Sequence, residues 1–167
     1  KMPNFDDHYI NLAELKTRGE VVSECASVVS NIFYTSWMNR PDIYYAVNVL
    51  AREVARWNKV CDRRLYRLMC YFHHSSHLVF TCFLGGVVSQ LRLAFNSDAS
   101  FADDFQNYKS CTGVVLAVAR PKSDVPFTWL CKKQSAVSHS STESEIIAFD
   151  IAVRLRAFLH FHFLTMC

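Results

Sequence analysis

The sequence predicts a mixed α/β protein of the α+β kind, in which a helical segment precedes a small sheet and a closing helix. Two observations predict this class. Apolar residues recur at three- and four-residue steps from about residue 20 to 77, and short alternating runs follow the Gly85-Gly86 pair. The composition agrees, because 51% hydrophobic and 20% charged residues are typical of a globular chain and exclude an intrinsically disordered one.

Three short helices are predicted in the first part of the chain, residues 1–78. One apolar stripe runs from Val21 to Phe33, a second from Ile43 to Val54, and a third from Leu65 to Phe72. Pro41 suits the first turn of the second helix, because a helix leaves the N–H at that position unbonded in any case.

Three strands and a helix are predicted in the second part, residues 79–167. Alternation over Leu91–Phe95 and Thr112–Val118 indicates two strands, and the run Pro126–Cys131 indicates a third. A helical pattern returns from about Ser141 to Leu164. Charged residues interrupt this apolar stretch and argue against a transmembrane segment: Asp150, Arg154 and Arg156.

Charge and cysteine content restrict the function only loosely. The formal net charge of +3 is mildly basic and falls short of the excess expected of a dedicated nucleic-acid-binding protein. The seven cysteines are odd in number and include no CxxC pair, which argues against a disulfide framework and a zinc ribbon. Reduced thiols are expected, so we predict an intracellular protein in a reducing compartment.

One acidic phrase could carry metal-dependent chemistry. Asp98 is expected at the end of a strand, with the small residues Ala99 and Ser100 after it. Oxygen ligands on a rigid strand can hold divalent ions, and small neighbours admit a bulky substrate backbone. An acidic turn between two strands is the simpler explanation, and this phrase by itself favours the turn.

A second polar phrase, residues 138–145, runs directly into the predicted closing helix. Glu145 would project from the first turn of that helix, where it could face Asp98 and share a metal ion. The alternative is a capping box, which pairs Ser140 with Glu143 or Thr142 with Glu145 and needs no metal. The sequence by itself favours the cap.

Basic residues follow helical spacing on the predicted third helix, and two more lie nearby. The residues are Arg56, Lys59, Arg63 and Arg67, with Arg52 and Arg64 close to them. Such a stripe could contact a phosphate backbone, which would make the chain a nucleic-acid-binding module. A solvated helix face explains the stripe equally well.

Five phrases, taken in order, resemble the end of copia-type retrotransposon polyproteins. Residues 36–48 resemble the family's TRPDI-AVN segment, which joins polymerase to nuclease, and residues 64–71 resemble the helix that follows it. Residues 97–104 resemble D-A-D-W-A-G-D, and residues 109–113 resemble K/R-S-T-S-G. Residues 129–145 resemble W-x-S-K-K-Q followed by S-S-T-E-A-E. The resemblance covers about residues 20 to 155.

The resemblance implies a reverse transcriptase tail over residues 1–78 and a truncated ribonuclease H-like domain over residues 79–167. It implies that Asp98 is the strand aspartate and Glu145 the helix glutamate. With Asp104 as a further ligand, they would bind Mg²⁺, which activates water to cut the RNA strand of an RNA–DNA hybrid. Arg40 and the basic residues named above would then lie near the template-primer.

The departures from the family pattern bear on activity. The family's next catalytic aspartate lies on a strand beyond the closing helix, and no such phrase occurs before Cys167. Since two carboxylates do not easily hold two metal ions, we expect little or no nuclease activity from this chain. The alternative is a non-catalytic structural subunit of a larger complex, derived from a degenerate element. Its aromatic residues and an open sheet edge would dock protein partners.

Overall fold

A computed structural model describes residues 12–85, 90–103 and 107–165 of the protein. The chain divides into two compact units between Thr81 and Cys82, which we call the helical unit and the sheet unit. Helices and a three-stranded sheet are both present, so the predicted mixed α/β class is confirmed. Among the described residues, no helix combines the length and the apolar character that crossing a membrane requires.

The helical unit contains the three predicted helices and two short elements that were not predicted. The helices are α1 (Leu12–Leu15), α2 (Cys25–Met38), α3 (Pro41–Glu53) and α4 (Lys59–His74), with a 3₁₀ turn at Val54–Arg56. Pro41 begins α3, as its missing N–H predicts. The first apolar stripe was predicted to begin at Val21, but α2 begins at Cys25, so Val21 and Val22 lie before the helix.

The core of the helical unit is a cluster of apolar side chains from α2, α3 and α4, together with Trp57 from the segment between the 3₁₀ turn and α4. Each helix contributes residues at three- or four-residue steps, which places them on one face. The cluster consists of Cys25, Val29, Ile32, Ile43, Val47, Leu50, Trp57, Cys61, Leu65 and Leu68. Burying one such large aliphatic side chain stabilises a fold by about 1.5–3 kcal/mol, so this cluster is the main source of stability for the unit.

Asp62 ties the segment before α2 to the start of α4. Its carboxylate accepts hydrogen bonds from the backbone N–H of Glu20 at 2.7 Å and of Val21 at 3.4 Å, and from Trp57 Nε1 at 2.7 Å. Gly19 lies against the same indole, and a Cβ at this position would come within 2.5 Å of Trp57 Cδ1. A side chain larger than hydrogen is therefore excluded at Gly19 unless the tryptophan moves.

The sheet unit consists of three antiparallel strands and one long helix. The strands are β1 (Arg92–Ser100), β2 (Cys111–Arg120) and β3 (Ser123–Lys133), in the order β1-β2-β3, and the helix is α5 (Ser141–Thr165). All three strands exceed their predicted lengths. The prediction that Asp98 ends a strand was wrong, because β1 continues to pair with β2 as far as Ser100 and Cys111.

Helix α5 packs on β1 and β2 through small residues. Ala148 and Ala152 are fully buried, and so is Leu116 on β2. The ring of Phe95 on β1 lies 5.6 Å from the ring of Phe149 on α5, measured between centroids. Since alternate residues of a strand face opposite sides, the side chains of Phe95 and Ala99 share the face covered by α5, and that of Asp98 lies on the other face.

Candidate functional site

Helix α5 begins with a cap made by Ser140 and Glu143. Ser140 Oγ accepts a hydrogen bond from the Glu143 N–H at 3.1 Å, and Glu143 Oε2 accepts one from the His139 N–H at 2.6 Å. This is the Ser140–Glu143 form of the capping arrangement that the sequence allowed. The cap satisfies amides at the start of the helix without using Glu145.

Glu145 instead contacts the sheet. Its Oε1 accepts a hydrogen bond from the backbone N–H of Ala99 at 3.3 Å, and Ala99 directly follows Asp98 in β1. In the described part of the chain β1 pairs with β2 only, so alternate N–H groups of β1 point towards its open edge and need another acceptor. The helix carboxylate therefore lies at the edge of β1, next to the strand position that carries Asp98.

Asp98 is exposed on β1 and lies opposite Gly113 of β2. Because Gly113 has no side chain, the surface beside Asp98 is open. A Cβ placed on Gly113 would meet nothing nearer than the backbone oxygen of Asp98, at 3.9 Å. A ligand or a nucleic-acid backbone can thus approach Asp98 across the face of the sheet that α5 does not cover.

The described residues do not complete a metal site by themselves. Asp104, the third predicted ligand, lies outside the described residues. Across residues 12–85, 90–103 and 107–165, no three histidine, cysteine or acidic side chains come together in a way that could hold a metal ion. Magnesium prefers six oxygen ligands, of which water molecules supply several, so Asp98 and Glu145 together account for part of a site only.

A buried polar network, for which the sequence predicted no function, lies behind the first turn of α5. Gln134 Nε2 donates to Thr112 Oγ1 at 3.0 Å and to the backbone oxygen of Ser144 at 2.9 Å. Gln134 Oε1 accepts from Ser138 Oγ at 3.0 Å. The signal available in the sequence was a glutamine placed between a strand and a cap, and only the tertiary contacts reveal its partners.

The predicted basic stripe is divided between three elements. Lys59, Arg63 and Arg67 lie on α4, but Arg56 belongs to the 3₁₀ turn and Arg52 to the end of α3. The prediction that Arg56 shares the third helix was therefore wrong. The extended backbone of Trp57, with φ −61° and ψ 124°, interrupts the helical path between them.

Acidic neighbours neutralise part of this positive charge. Arg63 forms an ion pair with Glu14 of α1, and Arg56 lies 3.6 Å from Glu53. Arg52 Nε donates to the side-chain oxygen of Asn48 at 3.0 Å. Contact between these basic residues and nucleic acid stays a prediction.

Arg40 is 7% exposed and is bound on several sides within the helical unit. Its Nε and Nη2 donate to the two carboxylate oxygens of Asp42, at 2.9 and 2.8 Å. Its Nη1 and Nη2 also donate to the backbone oxygen and hydroxyl of Ser75, and its guanidinium lies 5.2 Å from the ring centre of Phe72. Arg40 thus joins the start of α3 to the end of α4.

The Arg40–Asp42 contact has an electrostatic consequence. The hydrogen bond from Arg40 lowers the pKa of Asp42 below its ordinary value, although partial burial acts in the opposite direction. The Tyr71 hydroxyl donates to Asp42 at 3.1 Å and adds to the lowering. Contact between Arg40 and the template-primer stays a prediction. The Arg40 nitrogens donate to Asp42 and Ser75 within the helical unit.

Comparison with curated proteins gives matches over most of this chain. The chain is 30% identical over 123 residues to the retrovirus-related Pol polyprotein from transposon RE1 of Arabidopsis thaliana. It is 31% identical over 123 residues to the corresponding polyprotein from transposon TNT 1-94 of Nicotiana tabacum. The chain is similar to a segment of plant transposon Pol polyproteins. The predicted resemblance to a retroelement polyprotein is thereby confirmed at this level.

The Pol polyprotein similarity covers 74% of this chain in both cases. The chain spans only 8% of the length of the RE1 polyprotein and 9% of the TNT 1-94 polyprotein. The Pol polyprotein from transposon RE2 of Arabidopsis thaliana is 30% identical over 129 residues, with 74% of this chain and 8% of that protein covered. No family model and no solved structure matches the chain.

Proposed function

We propose that the sheet unit is part of the ribonuclease H-like nuclease of a retrotransposon Pol polyprotein. In this proposal Asp98 and Glu145 are two of the carboxylates that bind Mg²⁺ beside the RNA strand of an RNA–DNA hybrid. The similarity to plant transposon polyproteins supports the context. The observation that carries the proposal is the hydrogen bond from the Ala99 N–H to Glu145 Oε1.

That hydrogen bond distinguishes Glu145 from an ordinary capping residue. A capping carboxylate accepts from amides at the start of its own helix, and Glu143 already does this in α5. Glu145 accepts from a strand 46 residues earlier in the chain. The contact brings Glu145 next to the strand position that carries Asp98, and a cation bound at this edge of β1 would offset the repulsion between the two carboxylates.

The roles of the two residues follow from the elements that carry them. When bound, Mg²⁺ would polarise a phosphate and lower the pKa of a bound water. Asp98 would supply a carboxylate on a paired strand that cannot shift easily, and Glu145 would supply one from the start of α5. The open surface at Gly113 would leave room for the hybrid backbone. Because two carboxylates do not easily hold two metal ions, we expect weak metal binding and little or no cleavage by this chain.

We propose in addition that the helical unit is the reverse transcriptase tail that precedes the nuclease. Lys59 and Arg63 of α4 are exposed and would face the template-primer in the intact polyprotein. Arg40 would act in this unit by joining α3 to α4, since its donors are used inside the fold.

The test has two readouts on the full chain, because little or no cleavage is expected. The first is Mg²⁺-dependent cleavage of a labelled RNA–DNA hybrid, compared with the Asp98→Asn and Glu145→Gln variants. The second is paramagnetic broadening of backbone amide signals by Mn²⁺, which reports metal position without turnover. Asp124→Asn is the matched control, since Asp124 is an exposed carboxylate on β3 near the opposite end of the sheet.

The expected result is Mn²⁺ broadening centred on Ala99 and Gly113 that disappears in both site variants and persists in Asp124→Asn. Any cleavage should disappear in the same two variants. If broadening is absent from Ala99, or survives Asp98→Asn unchanged, the proposed metal site is wrong.

A further inference from the structure

We infer that Gln134 is a positioning residue that holds Glu145 at the edge of β1. The inference rests on the carboxylate site proposed above and identifies what fixes its geometry. Gln134 lies just after β3, is 3% exposed, and touches neither Asp98 nor Glu145 through its hydrogen bonds. Its effect on Glu145 is transmitted through the two groups to which Nε2 donates.

Those two groups lie on either side of the Glu145–Ala99 contact. Ser144 immediately precedes Glu145, and its backbone oxygen accepts from Gln134 Nε2 at 2.9 Å. Thr112 is the β2 residue that pairs with Ala99 of β1, and its hydroxyl accepts from the same nitrogen at 3.0 Å. Gln134 Nε2 therefore links Ser144, which precedes Glu145 in α5, to Thr112, which pairs with Ala99 in the sheet.

The Ser144 carbonyl decides which end of the Gln134 amide faces α5, because it can only accept a hydrogen bond. Gln134 Oε1 accepts from Ser138 Oγ at 3.0 Å, and the Gln134 backbone N–H donates to the backbone oxygen of Ser110 at 2.8 Å. A flipped amide would direct oxygen at the Ser144 carbonyl, where no hydrogen bond can form. Since Ser144 and Thr112 are fully buried, such a mismatch has no water to relieve it.

An amide is the side chain that meets all of these requirements. A carboxylate at position 134 could accept from Ser138 but could not donate to Ser144. A methionine fills a similar volume but offers no donor to Ser144 or Thr112. The start of α5 would then be held by packing further along the helix, at Ala148 and Phe149, and its rotation about the helix axis would be less restricted.

The experiment measures amide hydrogen exchange by NMR on the full chain, with the Ala99 N–H as the reporter. Exchange at Ala99 is expressed relative to the ladder amides of β2, so that a general loss of stability cancels. The variants are Gln134→Met, Glu145→Ala as the limit in which the Ala99 acceptor is absent, and Ser138→Ala as the matched control. Ser138→Ala removes the hydrogen bond that Ser138 Oγ donates to Gln134 Oε1 and leaves both Nε2 contacts in place.

We expect Gln134→Met to speed the relative exchange of Ala99 by about fivefold, the effect of losing one ordinary hydrogen bond, and to approach the Glu145→Ala value. Ser138→Ala should leave it unchanged. Should Gln134→Met fail to fold, Thr112→Val removes only one of the two Nε2 contacts and should produce a smaller change in the same direction. Unchanged exchange in the folded variants, or an equal change in Ser138→Ala, overturns the positioning role.

The hydrogen-exchange result for Gln134 can be told apart from the result for the proposed metal site. Mn²⁺ broadening at Ala99 in the unmodified chain tests the metal site, whereas exchange at Ala99 in the Gln134 variant tests the positioning. The exchange experiment is carried out without metal, so its result does not depend on metal binding.

Discussion

Replacing Asp42 with alanine tests whether Arg40 serves the fold. The change removes both hydrogen bonds from Arg40 to the carboxylate and leaves a guanidinium that is 7% exposed. Its contacts with Ser75, Phe72 and Tyr71 remain. Removing one partner of a buried ion pair costs about 3–5 kcal/mol. Because the Asp42 side chain is 33% exposed, water already screens part of the interaction. We therefore expect the free energy of unfolding of the helical unit to fall by about 2–3 kcal/mol.

Urea denaturation followed by tryptophan fluorescence measures this loss. Trp57 is 5% exposed and lies in the helical unit, so its emission reports unfolding there. Trp129 of the sheet unit and the exposed Trp37 of α2 are replaced by phenylalanine in all variants, so that Trp57 is the one tryptophan left of the three. With an m-value on the order of 1 kcal/mol/M for a unit of this size, the midpoint should fall by roughly 2–3 M.

Arg56→Ala is the matched control, because it breaks an exposed pair with Glu53 at 3.6 Å. Exposed pairs contribute about 0–1 kcal/mol, so the midpoint should scarcely move. If Asp42→Ala costs no more than Arg56→Ala, the Arg40–Asp42 pair does not stabilise the unit and the structural role of Arg40 is refuted.

The pH dependence supplies an independent check on the same pair. The folded-state pKa of Asp42 is lowered from its ordinary value of 3.8, so the stabilisation is fully present above that value. It is lost as the pH falls through the lower folded-state pKa. The stability difference between the unmodified chain and Asp42→Ala should therefore be constant from pH 5 to 8 and shrink only below about pH 4. A difference that changes near neutral pH would contradict this account.

Three further predictions concern the start of α4 and the two glycines. Asp62→Ala removes the acceptor of three N–H donors and should lower the free energy of unfolding of the helical unit by about 2–3 kcal/mol, measured by urea titration. It should also red-shift the emission of Trp57 in the folded state. An unshifted emission would contradict the hydrogen bond from Trp57 Nε1. Gly19→Ala should lower the free energy of unfolding, measured by thermal denaturation, by about 1–3 kcal/mol because its Cβ would meet Trp57. Gly113→Ala should change it by less than about 1 kcal/mol, because the nearest atom to a Cβ there is at 3.9 Å. Equal effects of the two changes would count against the packing at Gly19. Asn58→Ala removes the side-chain cap from two amides of α4 and should cost about 1 kcal/mol, while Asn58→Asp should retain most of the stability; an equal loss in both would argue against capping.

Local chemistry explains which parts of the fold could be predicted from the sequence. The start of α3 at Pro41 depends on one missing N–H, and the apolar stripes of α3 and α4 depend on spacing within a few residues. The strands were predicted too short, since the apolar alternation of β1 ends near Phe95 while its pairing continues to Ser100. Pairing depends on β2, which is remote in sequence.

The sequence by itself predicted the fold class and the helix stripes, because residue spacing encodes these directly, and its resemblance to a known family supplied the candidate pair of carboxylates. Two caps were equally possible at the start of α5, and only the packed structure chose Ser140 with Glu143 and turned Glu145 towards Ala99. The partners of Arg40 and Gln134 were likewise decided by tertiary structure. A long polar side chain can reach many groups, and the group that it binds is set by which distant segments the core brings beside it.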